Sequence, residues 1–319
     1  MCAIAGILFK NGKRPGFPMT TGEALTEILD ATLHRGPDSA GWALYRDPLP
    51  KGRLRMRFFI YSGEQARSEI DTIHQTLADE NVEILSEEVL GCTLGVEVKF
   101  AGDLLALTHA VERRIKPVSM GSRLDIIKDV GQPRELAPRY NIADFNGDHG
   151  IAHIRLATES GVHPDTSHPF WACGFADIAT VHNGQITNYW IMRRRLERRG
   201  MTFQTENDTE LIAVYLAYRM STGASLEAAL QTSLEDLDGT FSYLVATKDA
   251  VGYAKDKLAA KPMVKYEDDD MIAISSEEVG LNRLFPGRAL ETTEPTPLSC
   301  GLWSRSPENH PIETARKEA

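Results

Sequence analysis

Cysteine is scarce: the 319 residues hold four, Cys2, Cys92, Cys173 and Cys300, with no C-x-x-C pair among them. Thiols so scattered argue against a disulfide framework or a structural zinc site, and they leave no ligand set for an iron–sulfur cluster. Long apolar runs are missing too. None approaches the roughly 18 to 20 residues a membrane helix needs. The opening Met1-Cys2-Ala3-Ile4-Ala5-Gly6-Ile7-Leu8-Phe9 has no basic leader, so it does not read as a secretory signal and a cytoplasmic protein is expected. Basic charge is in deficit, 35 Lys and Arg against 45 Asp and Glu for a net charge of −10. That balance opposes general attraction to nucleic acid or to an anionic membrane surface. The one basic cluster (Arg193, Arg194, Arg195, Arg198 and Arg199) has Glu197 inside it and reads as a solvated helix face ahead of a partner-binding one. What remains is an ordinary globular composition, 42% hydrophobic and 25% charged, enough for one large domain or two small ones.

Periodicity places the elements. Ala3 to Phe9 is a β-prone apolar run and reads as a buried strand. Asn11 to Pro18 is a loop. Thr20-Thr21 caps a helix through Leu33, with apolar residues at 24, 25, 28, 29 and 33. From Asp47 to about Tyr140 the texture changes to β-α-β-α, read as a compact α/β insertion. The second half returns to strands at Gly150–Leu156 and Ile178–His182, followed by helices at Asn188–Arg199, Thr209–Arg219 and Ser225–Leu234. A meander of strands (Thr240–Thr247, Gly252–Lys255, Met271–Ser275) follows. After Pro286 the chain is rich in Pro, Thr, Glu and Ser. The expected division is a main domain over 1–288, carrying the insertion at about 47–140, and an arm or disordered tail over 289–319.

Cys2 alone could be a small apolar residue opening a strand. Removal of Met1 would instead place a thiol and a free α-amino group on one residue. That amine titrates near about 7.7 to 8, so it can serve as general base to the thiol without a separate histidine. Four further motifs follow in order: Arg35-Gly36-Pro37-Asp38-Ser39-Ala40-Gly41, His153-Ile154-Arg155-Leu156-Ala157-Thr158, His182-Asn183-Gly184 and Asn207-Asp208-Thr209-Glu210. Each is weak by itself, and a lone Asn-Gly is usually a turn. Together, after an N-terminal Cys-x-Ile-x-Gly, they resemble the class II glutamine amidotransferases, whose nucleophile is an N-terminal cysteine. The resemblance covers Cys2 to about Arg46 and about Leu124 to Leu284.

That resemblance implies an α+β fold, a four-layer α/β/β/α sandwich of two antiparallel sheets with Cys2 opening a central strand. It also implies a glutaminase site. Arg155 would fork onto the α-carboxylate of L-glutamine with help from Thr158, and Asp208 would hold the α-ammonium, with His182 alongside. Asn183 and the Gly184 N–H would form the oxyanion hole, and Arg35 would lie by the nucleophile. Simpler readings stand beside these: Arg35 with Asp38, or Arg155 with Asp208, as ordinary ion pairs, and His153 and His168 as structural histidines. Ala157-Thr158-Glu159-Ser160 departs from the Thr-His-Gly of several relatives. Together with Lys128-Asp129-Val130-Gly131 and Pro133, it is similar to the glutaminase parts of glutamate synthase-like proteins, N-methylglutamate synthase included. No acceptor domain is recognised in the sequence, so the resemblance implies a hetero-oligomer in which a synthase subunit receives the ammonia. No cofactor and no metal are expected on this chain; flavin, and iron–sulfur clusters if any, would belong to the partner. Two alternatives remain: a hydrolase for another amide on the same fold, and a non-catalytic regulatory subunit.

Overall fold

The computed structural model describes residues 2–12, 16–61, 63–156, 163–305 and 312–315. The chain begins with β1 (Ala3–Phe9), α1 (Thr21–Ala31) and β2 (Ser39–Tyr45). It continues through β3 (Arg53–Phe59), α2 (Glu64–Asp79), β4 (Glu83–Leu90), β5 (Thr93–Lys99), α3 (Leu104–Val111) and β6 (Pro117–Gly121). Next come β7 (Leu124–Val130), α4 (Pro133–Arg139), β8 (His149–Arg155), β9 (Phe170–Trp171) and β10 (Ala179–Ile186). Three helices follow, α5 (Tyr189–Glu197), α6 (Asp208–Ser221) and α7 (Leu226–Asp236), then β11 (Gly239–Ala246) and β12 (Ala250–Lys255). The last elements are β13 (Val264–Glu267), β14 (Met271–Ser275), α8 (Glu278–Leu284), β15 (Thr292–Thr293), β16 (Ser299–Ser304) and β17 (Ile312–Ala315).

Two sheets form the body. One has seven strands in the order β15-β13-β14-β1-β8-β2-β7, the other six in the order β17-β16-β12-β11-β10-β9. Their pairings are antiparallel. The alternation in β1 shows how they stack. Ile4 and Leu8 join a cluster with Val181, Tyr243 and Val251 of the second sheet. Ala3, Ala5, Ile7 and Phe9 face the other way, onto Leu25, Ile28 and Leu29 of α1 and Leu281 of α8. Both faces of the strand are therefore buried, which is why it reads as a continuous apolar run. Thr20 opens α1 with a reciprocal cap: its hydroxyl accepts from Glu23 N at 3.1 Å and its own N–H donates to the Glu23 carboxylate at 2.8 Å. With α6 and α7 on the outer face of the second sheet, the body is the α/β/β/α sandwich that the motifs imply.

The insertion is shorter than its change of texture suggests. A separate sheet, β4-β5-β3-β6, ends at Gly121, and β7 returns to the main sheet to pair with all of β2, from Ser39↔Val130 to Tyr45↔Leu124. The expected boundary near Tyr140 fails because Asp125, Lys128 and Asp129 interrupt the apolar pattern of β7, yet all three are buried. Asp125 is gripped by Arg57 of β3 through bonds of 2.6 and 3.0 Å, fastening insertion to body. Burial would raise its carboxyl, but the charge and hydrogen bonds of Arg57, with Arg46 beside it, hold it down at about 2.

The expected arm at 289–319 also needs correction where it is described. Strand β16 pairs with β12 from Ala250↔Ser304 to Lys255↔Ser299. Trp303 is 1% exposed and stacks on Tyr253 at 5.7 Å between ring centres. Six residues suffice for such a strand, too few to stand out in a Pro- and Thr-rich segment. No helix among the described residues is long and apolar enough to cross a membrane.

Candidate active site

The sequence motifs collect at one end of the sandwich. Ala3 pairs with Ile154 across β1 and β8, so Arg155 emerges opposite Cys2. Cys2 is half-buried, with Sγ 4.0 Å from Leu156 O. Its carbonyl accepts from Arg35 Nε at 2.9 Å, and Arg35 Nη1 donates to Glu277 at 2.6 Å. Arg35 is only 6% exposed, so this buried clamp sets the backbone position of the thiol. The same hydrogen bond, with the charge behind it, holds the Glu277 carboxyl below its ordinary range.

Asn183 arrives from the opposite sheet. Its Nδ2 donates to Ser276 Oγ at 3.0 Å, and that hydroxyl also accepts from Ile4 N at 3.0 Å. One serine thus spaces the amide of Asn183 from the strand that follows Cys2. The second hydrogen on Nδ2 is then available to a ligand. The next residue, Gly184, is exposed and has φ +140. A Cβ there would sit 2.0 Å from Thr240 O, so only glycine can take this position and present its backbone.

Asp208 is the first residue of α6, behind the N-cap Asn207. Its Oδ2 accepts from Ile186 N at 3.1 Å, and Oδ1 lies 3.4 Å from His182 Nδ1. Burial would raise its carboxyl, but His182 and the backbone N–H groups of Ile186 and Thr209 hold it low and ionised. His182 is buried beneath it, where it can orient Asp208, and its Nδ1 also lies 3.3 Å from Thr209 Oγ1. His153 and His168 stack at 4.0 Å between ring centres. Burial, and then the neighbouring His182, pull His153 down to about 3 against its hydrogen bond to His182 O. Burial likewise pushes His168 well below its usual range. Arg155 Nη1 donates to Thr166 Oγ1 at 3.0 Å and to Thr166 O at 3.3 Å.

The end of the sandwich therefore brings together Cys2, Arg35, Arg155, His182, Asn183, Gly184 and Asp208. Thr158 lies outside the described residues. Sequence reading missed Ser276 and Glu277, which touch Asn183 and Arg35 of the site from 93 and 242 positions away. Their run, Ser275-Ser276-Glu277-Glu278, looks like an ordinary helix start, and no local signal marks its second task. Among the described residues no three His, Cys, Asp or Glu side chains are grouped to hold a metal ion. A thiol, an amide donor, an exposed glycine, a guanidinium and a carboxylate on one rim suit acyl transfer from a substrate with an amino-acid head group.

Comparison with known proteins agrees. Residues 153–283 match the glutamine amidotransferase domain family. A protein of Methanothermobacter thermautotrophicus described as a glutamine amidotransferase is 37% identical over 305 residues, spanning 92% of this chain and 97% of its own. The glutamine amidotransferase-like protein GlxB of Rhizobium meliloti is 33% identical over 306 residues, spanning 95% of this chain and 98% of its own. Among solved structures, the glutamine phosphoribosylpyrophosphate amidotransferase of B. subtilis aligns with a TM-score of 0.61 at 17% identity, covering 98% of this chain and 49% of that one. The present chain thus spans about half the length of that enzyme, and at this identity the likeness speaks for the fold alone.

Proposed function

The chain belongs to the glutamine amidotransferase family, and from that premise we propose that Cys2, freed by loss of Met1, is the nucleophile that takes the γ-glutamyl group from L-glutamine. The α-amino group of Cys2 accepts the thiol proton. The thiolate attacks the side-chain amide carbon, and the oxyanion so formed is met by Asn183 Nδ2 and the Gly184 N–H. As the tetrahedral intermediate collapses the C–N bond breaks, and the nitrogen takes the proton and leaves as ammonia. Water then hydrolyses the thioester, giving glutamate and restoring the thiol. Arg155 and Thr158 hold the α-carboxylate and Asp208 the α-ammonium, with His182 steadying Asp208 from below. Arg35 fixes Cys2 through its carbonyl.

The observation that carries this reading is the bridge at Ser276, because it ties Asn183 to the strand of Cys2 with two bonds of 3.0 Å. Arg155 and Asp208 on the same rim favour an amino-acid amide over another amide substrate. The ammonia passes to an acceptor site on a partner subunit, in a glutamate synthase-like or N-methylglutamate synthase-like complex whose flavin, and any iron–sulfur cluster, sits on that partner. In free water at neutral pH ammonia is mostly protonated and a poor nucleophile, so a shielded transfer suits the chemistry.

Intact mass spectrometry with 6-diazo-5-oxo-norleucine tests the site. The expected result is a chain lacking Met1 that gains one adduct, lost in Cys2→Ala. Retention of Met1, or an adduct that survives in Cys2→Ala, overturns the assignment of the nucleophile.

A further inference from the structure

Lys128 has no place in the acyl-transfer scheme, yet it is a lysine at 4% exposure in the main sheet. From β7 its Nζ donates to Ser167 O at 2.7 Å and Pro169 O at 3.1 Å, with Asp165 O at 3.4 Å. The Phe170 ring centre lies 4.3 Å from Nζ. An ammonium has three donors and here meets three carbonyls and an aromatic face. Burial pulls its amine down to about 7, with Asp165 and Glu210 pushing back and Arg155 adding to the fall. The carbonyls belong to one turn, and the turn is pressed against the sheet. Gly41 pairs with Lys128, and a Cβ on Gly41 would lie 2.2 Å from His168 O.

That turn touches both halves of the head-group site. Thr166 accepts from Arg155 Nη1 through its hydroxyl at 3.0 Å and its carbonyl at 3.3 Å. Two residues on, His168 Nε2 lies 3.2 Å from Thr209 Oγ1, which lies 3.3 Å from His182 Nδ1, itself 3.4 Å from Asp208 Oδ1. We propose that Lys128 is a positioning residue for glutamine binding: it anchors the 165–169 turn, and the turn sets Arg155 on one side and the His182–Asp208 pair on the other. The proposal rests on the reading of Arg155 and Asp208 as the partners of the amino-acid head group. A planar guanidinium could not aim at three converging carbonyls as an ammonium does.

The test uses the full-length chain and follows labelling of Cys2 by 6-diazo-5-oxo-norleucine, which gives a half-saturating concentration and a limiting rate. Alkylation of Cys2 by iodoacetamide, which has no amino-acid head group, is followed in parallel. Lys128→Met is expected to raise the half-saturating concentration about tenfold, the scale of one charge-assisted hydrogen bond. Its limiting rate and its alkylation should stay within about twofold of the parent, a split that general loosening of the fold would not produce. Thr166→Val, which leaves Lys128 in place, should act in the same direction. Lys128→Met combined with Arg155→Lys should lose clearly less than the two single losses taken together, since the two changes share the contact at Arg155. A parent-like half-saturating concentration in Lys128→Met while Arg155→Lys weakens binding overturns the proposal and spares the head-group reading. Additive losses in the double variant, or a loss confined to the limiting rate, overturn it as well. Should Lys128→Met fail to fold, parent-like binding by Thr166→Val overturns it. Normal binding by Arg155→Lys overturns the head-group reading and this proposal together.

Discussion

Asn183 is useful because its amide is spoken for on one side only. Ser276 takes one of its hydrogens at 3.0 Å, which leaves the other pointed by the geometry of the group and not by chance. Asn183→Ala should therefore lower kcat for glutamine hydrolysis by about a hundred- to thousandfold, the usual cost of one oxyanion donor, with KM changed little. Steady-state kinetics checks this, and a fall in kcat below about tenfold would remove Asn183 from the oxyanion hole. The stacked pair His153 and His168 makes a second residue-scale prediction. Both titrate below the roughly 6.5 of an unfolded histidine. Below that value the unfolded chain binds protons that the native state refuses, so their contribution is complete above about pH 6.5 and is lost as pH falls towards 3. Asp125, Asp148 and Asp208, held below the ordinary carboxylate value, add their own loss only under stronger acid. Thermal unfolding followed between pH 7 and 4.5 should show a falling midpoint in the parent and a shallower fall in His153→Gln. A flat profile in the parent would contradict the burial of two neutral imidazoles.

At the scale of elements, β7 and β16 are the instructive pair. Both belong to the sheets of the sandwich, and neither stands out as an apolar run. β7 buries charge that its neighbours neutralise or bond: Arg57 on Asp125, the carbonyls of the turn on Lys128, and Tyr140 on Asp129 at 2.6 Å. Hydropathy patterning cannot see a partner that is far away in sequence. β16 is short and follows a segment rich in proline, but Trp303 and Cys300 are 1% and 2% exposed on it. Trp303→Ala should cost about 3 to 5 kcal/mol by the large-to-small rule for cores. Chemical denaturation measures it, and a cost under about 1 kcal/mol would return this segment to the status of a loose arm.

For the whole molecule, the arrangement of layers decides what can meet. Cys2 and Arg155 come from the first sheet, Asn183 and Gly184 from the second, and Asp208 from a helix outside it. The site exists only once the sandwich has closed. If the ammonia goes to a partner, hydrolysis without an acceptor wastes glutamine, and the turnover of the chain alone should be held below that of the complex. The expected outcome is at least about a tenfold rise in kcat, or some 1.4 kcal/mol in the barrier, when the loaded partner is added. A full rate from the chain by itself would end the idea of gating.

The sequence by itself determined the chemistry on offer and the order in which it appears: a cysteine able to become an N-terminal nucleophile, then the Arg35, Arg155, His182-Asn183-Gly184 and Asp208 motifs. It also determined β1, whose alternation and apolar run need no distant partner to be understood. These signals are local, carried by residue type and by spacing of two or 3.6. Only the tertiary structure decided that Ser276 and Glu277 join the site, that β7 ends the insertion at Gly121, and that β16 completes a sheet. Each of these depends on a hydrogen bond, an ion pair or a ladder between residues far apart in the chain. Such contacts leave no period in the sequence, because the partner that satisfies the group is supplied by the fold.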